Sequence, residues 1–179
     1  MNQMSARHIK QLVVGLLSAI LLIVLDQVTK HLAVLHLKKA SSFSLIPEVF
    51  ELSYLENHGA AFGILQGQKT FFVTMTVIVL IILIFLYIRI PDTKRYTYMR
   101  LILILLISGA IGNFIDRCLY NYVIDFFYLK LIDFPVFNVA DIYVTTAAVL
   151  LILLFIFYYK EEDIDLLIQK LQFWKKKEH

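Results

Sequence analysis

Thr70-Phe-Phe-Val-Thr-Met-Thr-Val-Ile-Val-Leu-Ile-Ile-Leu-Ile-Phe-Leu-Tyr-Ile88 runs without one charged side chain. A helix rises 1.5 Å per residue, so about 20 such residues cross the roughly 30 Å of hydrocarbon in a bilayer. This run therefore reads as a membrane span. Three further apolar segments lie around it, at about 12–30, 99–115 and 139–158, and Ala33 to Leu37 extends the first. The predicted class is an all-α membrane protein: four transmembrane helices, a small extracytoplasmic β-containing segment at about 42–67, and a C-terminal amphipathic helix at about 162–175. The whole chain, 1–179, reads as a single membrane domain.

Composition agrees. Of 179 residues, 60% are hydrophobic and 17% charged, against about 25% charged in soluble domains. The one cysteine, Cys118, leaves no partner for an internal disulfide and no multi-thiolate metal site. The net charge of +3 is modest. Its basic residues cluster in particular loops, which is a topology signal rather than a nucleic-acid footprint. Arg7 and Lys10, the Arg89–Arg100 connection and the lysines of the tail outweigh the basic residues of the other connections. Both termini are therefore expected in the cytoplasm. Arg7 and Lys10 ahead of an apolar run imitate a secretory signal, but Leu25-Asp26-Gln27 replaces the small-residue cleavage pattern, so the run is read as an uncleaved span.

The connections carry the remaining information. Phe50-Glu-Leu-Ser-Tyr54 alternates apolar and polar, as a short surface strand would. Gly59, Gly63 and Gly67 follow and permit tight turns near a ligand. Beyond Tyr159, the residues Ile164, Leu167, Ile168, Leu171 and Trp174 share one helical face, as an interfacial helix requires.

Polar residues gather at span ends. Asp26 closes the first span; Asn113, Asp116 and Arg117 close the third; Asn138 and Asp141 open the fourth; Asp125 lies in the connection between them. On this topology all stand at one depth, near the outer surface. A carboxylate within a span costs roughly 2.5–3.5 kcal/mol on insertion scales, so several together mark a site. Asn113 and Asp116 are three apart, as are Asn138 and Asp141, so each pair shares a helix face. Gly109 and Gly112, facing Ala140 and Ala147 or Ala148, allow close helix approach. No Ser stands beside a Lys or His as a nucleophile, and no metal or cofactor set is present. Asp125 and Asp141 remain. Two close carboxylates share a proton, one serving as acid and the other as base toward water.

These residues stand in motifs. Asp26-Gln-Val-Thr-Lys30, Asn57-His-Gly-Ala-Ala-Phe62, Gly109-Ala-Ile-Gly-Asn-Phe-Ile-Asp-Arg117, Val123-Ile-Asp-Phe126 and Phe137-Asn-Val-Ala-Asp141 together resemble the bacterial lipoprotein signal peptidase (signal peptidase II) family, over roughly residues 12 to 160. The resemblance implies an aspartyl peptidase of the bacterial cytoplasmic (inner) membrane. Its substrates would be diacylglyceryl-modified prolipoproteins, cleaved before the lipidated cysteine. It implies Asp125 and Asp141 as the catalytic pair. Asn57, Asn113, Arg117 and Asn138 would line the site or hold substrate backbone, and Asp26, Asp116 and Gly59 would support it. It also implies inhibition by cyclic peptides such as globomycin. The other expected partners are membrane lipids, not nucleic acid, and the chain is expected to act as a monomer. Ser108 departs from the family's usual Gly before Gly109.

Plainer readings stand beside these. Asp26–Lys30 and Asp116 read as structural, His58 as a surface ring, Cys118 as an inert thiol, and Glu51 and Glu56 as solvated. A proton-coupled carrier is the rival from another class; it would place acids near the bilayer midplane between repeats, where this sequence has neither. A non-enzymatic scaffold would leave the convergent Asn and Asp residues unused.

Overall fold

The computed structural model describes residues 6–40, 42–59 and 68–171. Among these residues four helices are long and apolar enough to cross a membrane: α1 (Ala6–Leu37), α2 (Lys69–Arg89), α3 (Thr97–Tyr120) and α4 (Val139–Leu153), the last continuing as a π-helical turn to Tyr158. A fifth helix, α5 (Glu161–Leu171), follows. Helix α1 begins earlier than the expected 12–30, and its far end takes in the Ala33 to Leu37 extension. No proline interrupts it, and its Lys30 pairs with Asp26 on the same helix and with Asp116 on α3.

Large apolar side chains point outward along these helices: Leu21 is 69% exposed, Ile81 63% and Phe157 78%. Helix α2 buries none of its residues in the protein. Such a surface suits hydrocarbon and not water. Where helices do touch, small residues allow it. A Cβ on Gly109 would lie 2.6 Å from the Ala140 carbonyl oxygen, and one on Gly112 would lie 2.5 Å from Asp26 Oδ2. Ala140 and Ala147 are fully buried, whereas Ala148 faces outward, so the contact runs through Ala147.

The β-structure exceeds the expectation. A three-stranded antiparallel sheet has the order β1 (Phe43–Ile46), β2 (Phe50–Asn57), β3 (Val123–Tyr128). Only the middle strand showed clear alternation in the sequence. Strand β3 comes from the connection between α3 and α4, where Asp125 was expected in a loop. Its first four residues are all buried, so the polar-apolar alternation of a one-sided strand is missing. Asn121, left-handed at φ 70°, ends α3 and turns the chain into β3. Two backbone bonds then join Phe127 and Phe137 (2.8 and 2.9 Å). They fold the following connection back along β3 and bring the start of α4 beside Asp125.

Two apolar clusters flank the helices. At the sheet end Ala33, Ile124 and Phe126 are buried. At the opposite end Ile90, Tyr96, Met99, Leu103 and Tyr159 form the other, and Ile164, Leu166 and Leu167 of α5 pack against it. Part of the apolar face of α5 thus covers the protein itself, while Ile168 stays exposed. Gly63, Gly67 and Trp174 lie outside the described residues.

Candidate active site

The first turn of α4 sets the geometry. Asn138 is extended (φ −132°, ψ −176°) and caps the helix. Its Oδ1 accepts from the Asp141 backbone N–H (3.0 Å), while Asp141 Oδ2 accepts from the Asn138 backbone N–H (3.1 Å). This reciprocal capping box fixes the Asp141 carboxylate and leaves the Asn138 amide nitrogen free to reach sideways. That nitrogen donates to Asp125 Oδ1 (2.6 Å) and to Asn113 Oδ1 (3.1 Å). Asn113 Nδ2 in turn donates to Asp141 Oδ1 (2.8 Å). Asp125 and Asp141 are therefore joined through two amides, each presenting N–H to a carboxylate.

Asp125 is 1% exposed. Its other oxygen accepts from Asn57 Nδ2 (2.8 Å), and Asn57 Oδ1 is held by the backbone N–H of Gly59 (3.0 Å). Burial, and after it the charge of Asp141, pushes the Asp125 carboxyl up to about 7; the bonds from Asn57 and Asn138 and the charge of Lys30 pull the other way. Asp141 is half-buried, so the pair has one deep and one accessible member.

Beneath the pair lies a buried charge cluster. Lys30 Nζ stands 3.0 Å from Asp26 Oδ2, 3.0 Å from Asp116 Oδ2 and 2.8 Å from Asn113 Oδ1. Gln27 Nε2 donates to Asp26 (3.2 Å), Asp116 (3.0 Å) and the Gly112 carbonyl (3.2 Å). Asp26 Oδ1 accepts from the Ala140 N–H (2.9 Å) and Asp116 Oδ2 from the Ile124 N–H (3.1 Å). These bonds tie α1 to α4 and α3 to β3.

Arg117 stands on α3, one turn beyond Asn113. It reaches backbone rather than the carboxylates, donating to the carbonyls of Gly59 (3.3 Å) and Asn113 (3.5 Å), with its guanidinium 4.9 Å from the Phe72 ring centre. Phe50, Phe127, Phe137 and Ile142, with Ile46, Val49 and Leu129, line an open apolar cavity of about 390 Å³. Among the described residues no group of three or more His, Cys, Asp or Glu is arranged to hold a metal ion.

The Signal peptidase (SPase) II family model matches residues 18–157. The chain belongs to the signal peptidase II family. It is 45% identical over 129 residues to the lipoprotein signal peptidase of Streptococcus pyogenes serotype M5 (strain Manfredo), covering 72% of this chain and 84% of that protein. The same values hold for the serotype M1 protein. A bacterial membrane enzyme solved in meso at 2.3 Å superposes with a TM-score of 0.72 at 36% identity, over 83% of this chain and 92% of that one. This member of the signal peptidase II family is thus a peptidase, and the carrier and scaffold readings give way.

The motif residues of this signal peptidase II chain converge: Asp26, Asn57, Asn113, Asp116, Asn138, Asp125 and Asp141 meet in one hydrogen-bonded group. Sequence reasoning left Gln27 and Lys30 out of the site, although both stand in the motif opened by Asp26. The four-residue spacing of Asp26 and Lys30 was visible; the third partner on α3 was not. Glu51 and Glu56, expected to be solvated, are paired instead, with Lys130 (3.0 Å) and Lys38 (2.8 Å).

Proposed function

We propose that this lipoprotein signal peptidase works by aspartyl chemistry, with Asp125 and Asp141 as its catalytic pair. The observation that supports this most is the Asp125–Asn138–Asn113–Asp141 chain of bonds, with Asp125 buried and pushed up to about 7. Asp125 holds the shared proton at rest. Asp141, more accessible, takes a proton from water as the water oxygen attacks the carbonyl carbon before the lipidated cysteine. Asp125 hydrogen-bonds the carbonyl oxygen as negative charge grows there. Collapse of the tetrahedral adduct breaks the C–N bond, and the departing amine takes the proton from Asp141.

The remaining assignments belong to the same reading. Asn57, Asn113 and Asn138 orient the carboxyls, Arg117 holds substrate backbone, and Asp26, Asp116 and Gly59 brace the site. The substrate is a diacylglyceryl-modified prolipoprotein, its acyl chains kept in the bilayer. Cyclic peptides such as globomycin compete for the site. The chain is a monomeric single domain of the inner membrane with both termini cytoplasmic. Its site lies near the extracytoplasmic face, and α5 rests on the cytoplasmic leaflet. The test is cleavage of a diacylglyceryl-modified prolipoprotein by the detergent-purified chain. Wild type cleaves; folded Asp125→Asn and Asp141→Asn do not. Near-normal cleavage by either variant removes the pair assignment.

A further inference from the structure

Lys30 is 1% exposed and lies outside the aspartate pair. Its ammonium has three donors, and the structure supplies three acceptors: Asp26, Asp116 and Asn113. The two carboxylates alone would compensate its charge. The third bond leads elsewhere. Asn113 Oδ1 accepts from Lys30 and from Asn138 Nδ2, and its Nδ2 donates to Asp141. An Asn side chain is near-symmetric in shape, so its two orientations differ mainly in hydrogen bonding. Turned over, Asn113 would set its NH₂ against the ammonium and the Asn138 NH₂, and its oxygen against the Asp141 carboxylate.

We propose that Lys30 is a positioning residue for the reaction: its ammonium locks the Asn113 amide with N–H toward Asp141, and it keeps a buried positive charge beside the pair. This rests on the reading of Asp125 and Asp141 as the catalytic groups. Lys30 pairs with Asp26 on its own helix and Asp116 on α3, its charge acts on Asp125 of β3, Asn113 links it to Asp141 of α4, and Arg117 on α3 is the other cation acting on these acids. Without Lys30, these four carboxylates keep only Arg117. The pair then binds its proton more tightly, so the alkaline limb of the pH–rate profile moves upward.

The experiment uses the full-length chain in detergent and a diacylglyceryl-modified prolipoprotein. kcat, KM and the pH profile are measured for wild type, Lys30→Met, Lys30→Met/Asp26→Asn, Gly112→Ala and Asp125→Asn. In Lys30→Met, kcat falls about 10- to 100-fold, as when an outer partner of a reactive group is lost; KM stays near wild type and the alkaline limb shifts upward. Gly112→Ala crowds the same junction but keeps the cation, so its limb stays at the wild-type position. Should Lys30→Met fail to fold, the double variant removes a carboxylate with the cation and carries the same kcat loss at unchanged KM. Wild-type kcat in either folded Lys30 variant overturns the proposal. So does an unshifted limb in Lys30→Met, or an equal shift in Gly112→Ala. Inactive Asp125→Asn beside fully active Lys30→Met sinks this role alone, whereas active Asp125→Asn sinks the pair on which it rests.

Discussion

The two ends of the helix bundle both bury charge, and they do so differently. At the end remote from the sheet, Arg100 donates to the carbonyls of Ile90 (3.1 Å) and Pro91 (2.8 Å) and lies 3.3 Å from Asp92. Arg95 pairs with Asp163 (2.8 Å), donates to the Tyr158 carbonyl, and stacks over the Tyr158 ring at 4.0 Å. Cations there meet carbonyls, aromatic rings and one carboxylate each. At the sheet end Asp26, Asp116, Asp125 and Asp141 gather around Lys30 and Arg117, so acids outnumber bases. The remote knot compensates its charges and holds α5 against α2 and α3. The sheet end keeps an excess of acids over bases, the charge balance that the proposed proton-sharing pair would use.

Substitutions at the two ends should therefore separate activity from stability. The largest effect is expected for Asp125→Asn and Asp141→Asn: a loss in kcat of about 10²–10⁴-fold or more, with melting in detergent little changed. A variant that melts early and keeps its kcat would make the sheet end as structural as the remote one. Asn138→Ala comes next. It removes the helix cap, about 1 kcal/mol, together with the donor to Asp125, so both kcat and thermal stability fall. A stability loss without a rate loss would reduce Asn138 to a cap.

Gly109→Ala acts on packing instead. Its Cβ would meet the Ala140 carbonyl at 2.6 Å and Val144 at 2.7 Å, an overpacking cost of about 1–3 kcal/mol, read as a lower melting temperature. Unchanged melting would show that α3 and α4 separate more easily than their contact implies.

Asp125 also links stability to pH. Its carboxyl lies at about 7 in the fold against an ordinary 3.8. Between these values the folded chain binds more protons than the unfolded chain. The stabilising contribution is complete below about 4 and is lost as pH rises through about 7. Melting measured across that window should decline in wild type and decline less in Asp125→Asn; equal slopes would remove the linkage. The smallest effect belongs to the remote end. Asp163→Ala, which loses a partly exposed pair, should lower melting slightly and leave cleavage within about twofold of wild type. A large rate loss there would mean that α5 communicates with the site.

Much of the molecule was legible from residues alone. Apolar runs at 70–88 and 142–158, free of charged side chains, require hydrocarbon around them, because their backbone bonds close within the helix. Asn113 with Asp116, and Asn138 with Asp141, announce themselves by helical spacing. Strand β3 was not legible. Val123-Ile-Asp-Phe126 is buried throughout, so it carries no alternation, and its pairing partner lies on β2, far away in sequence. Glu51 and Glu56 read as solvated for a similar reason: their lysines stand on other segments.

Local sequence thus determined the membrane class, the helix-forming segments and the identity of the acids that gather, since hydropathy and periodicity are properties of neighbours in the chain. Tertiary structure alone decided which acid is deep and which accessible. It also decided that amides stand between Asp125 and Asp141, and that Lys30 belongs to their surroundings. Burial, hydrogen-bond direction and electrostatic field depend on groups brought together from α1, α3, β3 and α4, and no spacing within one segment records them.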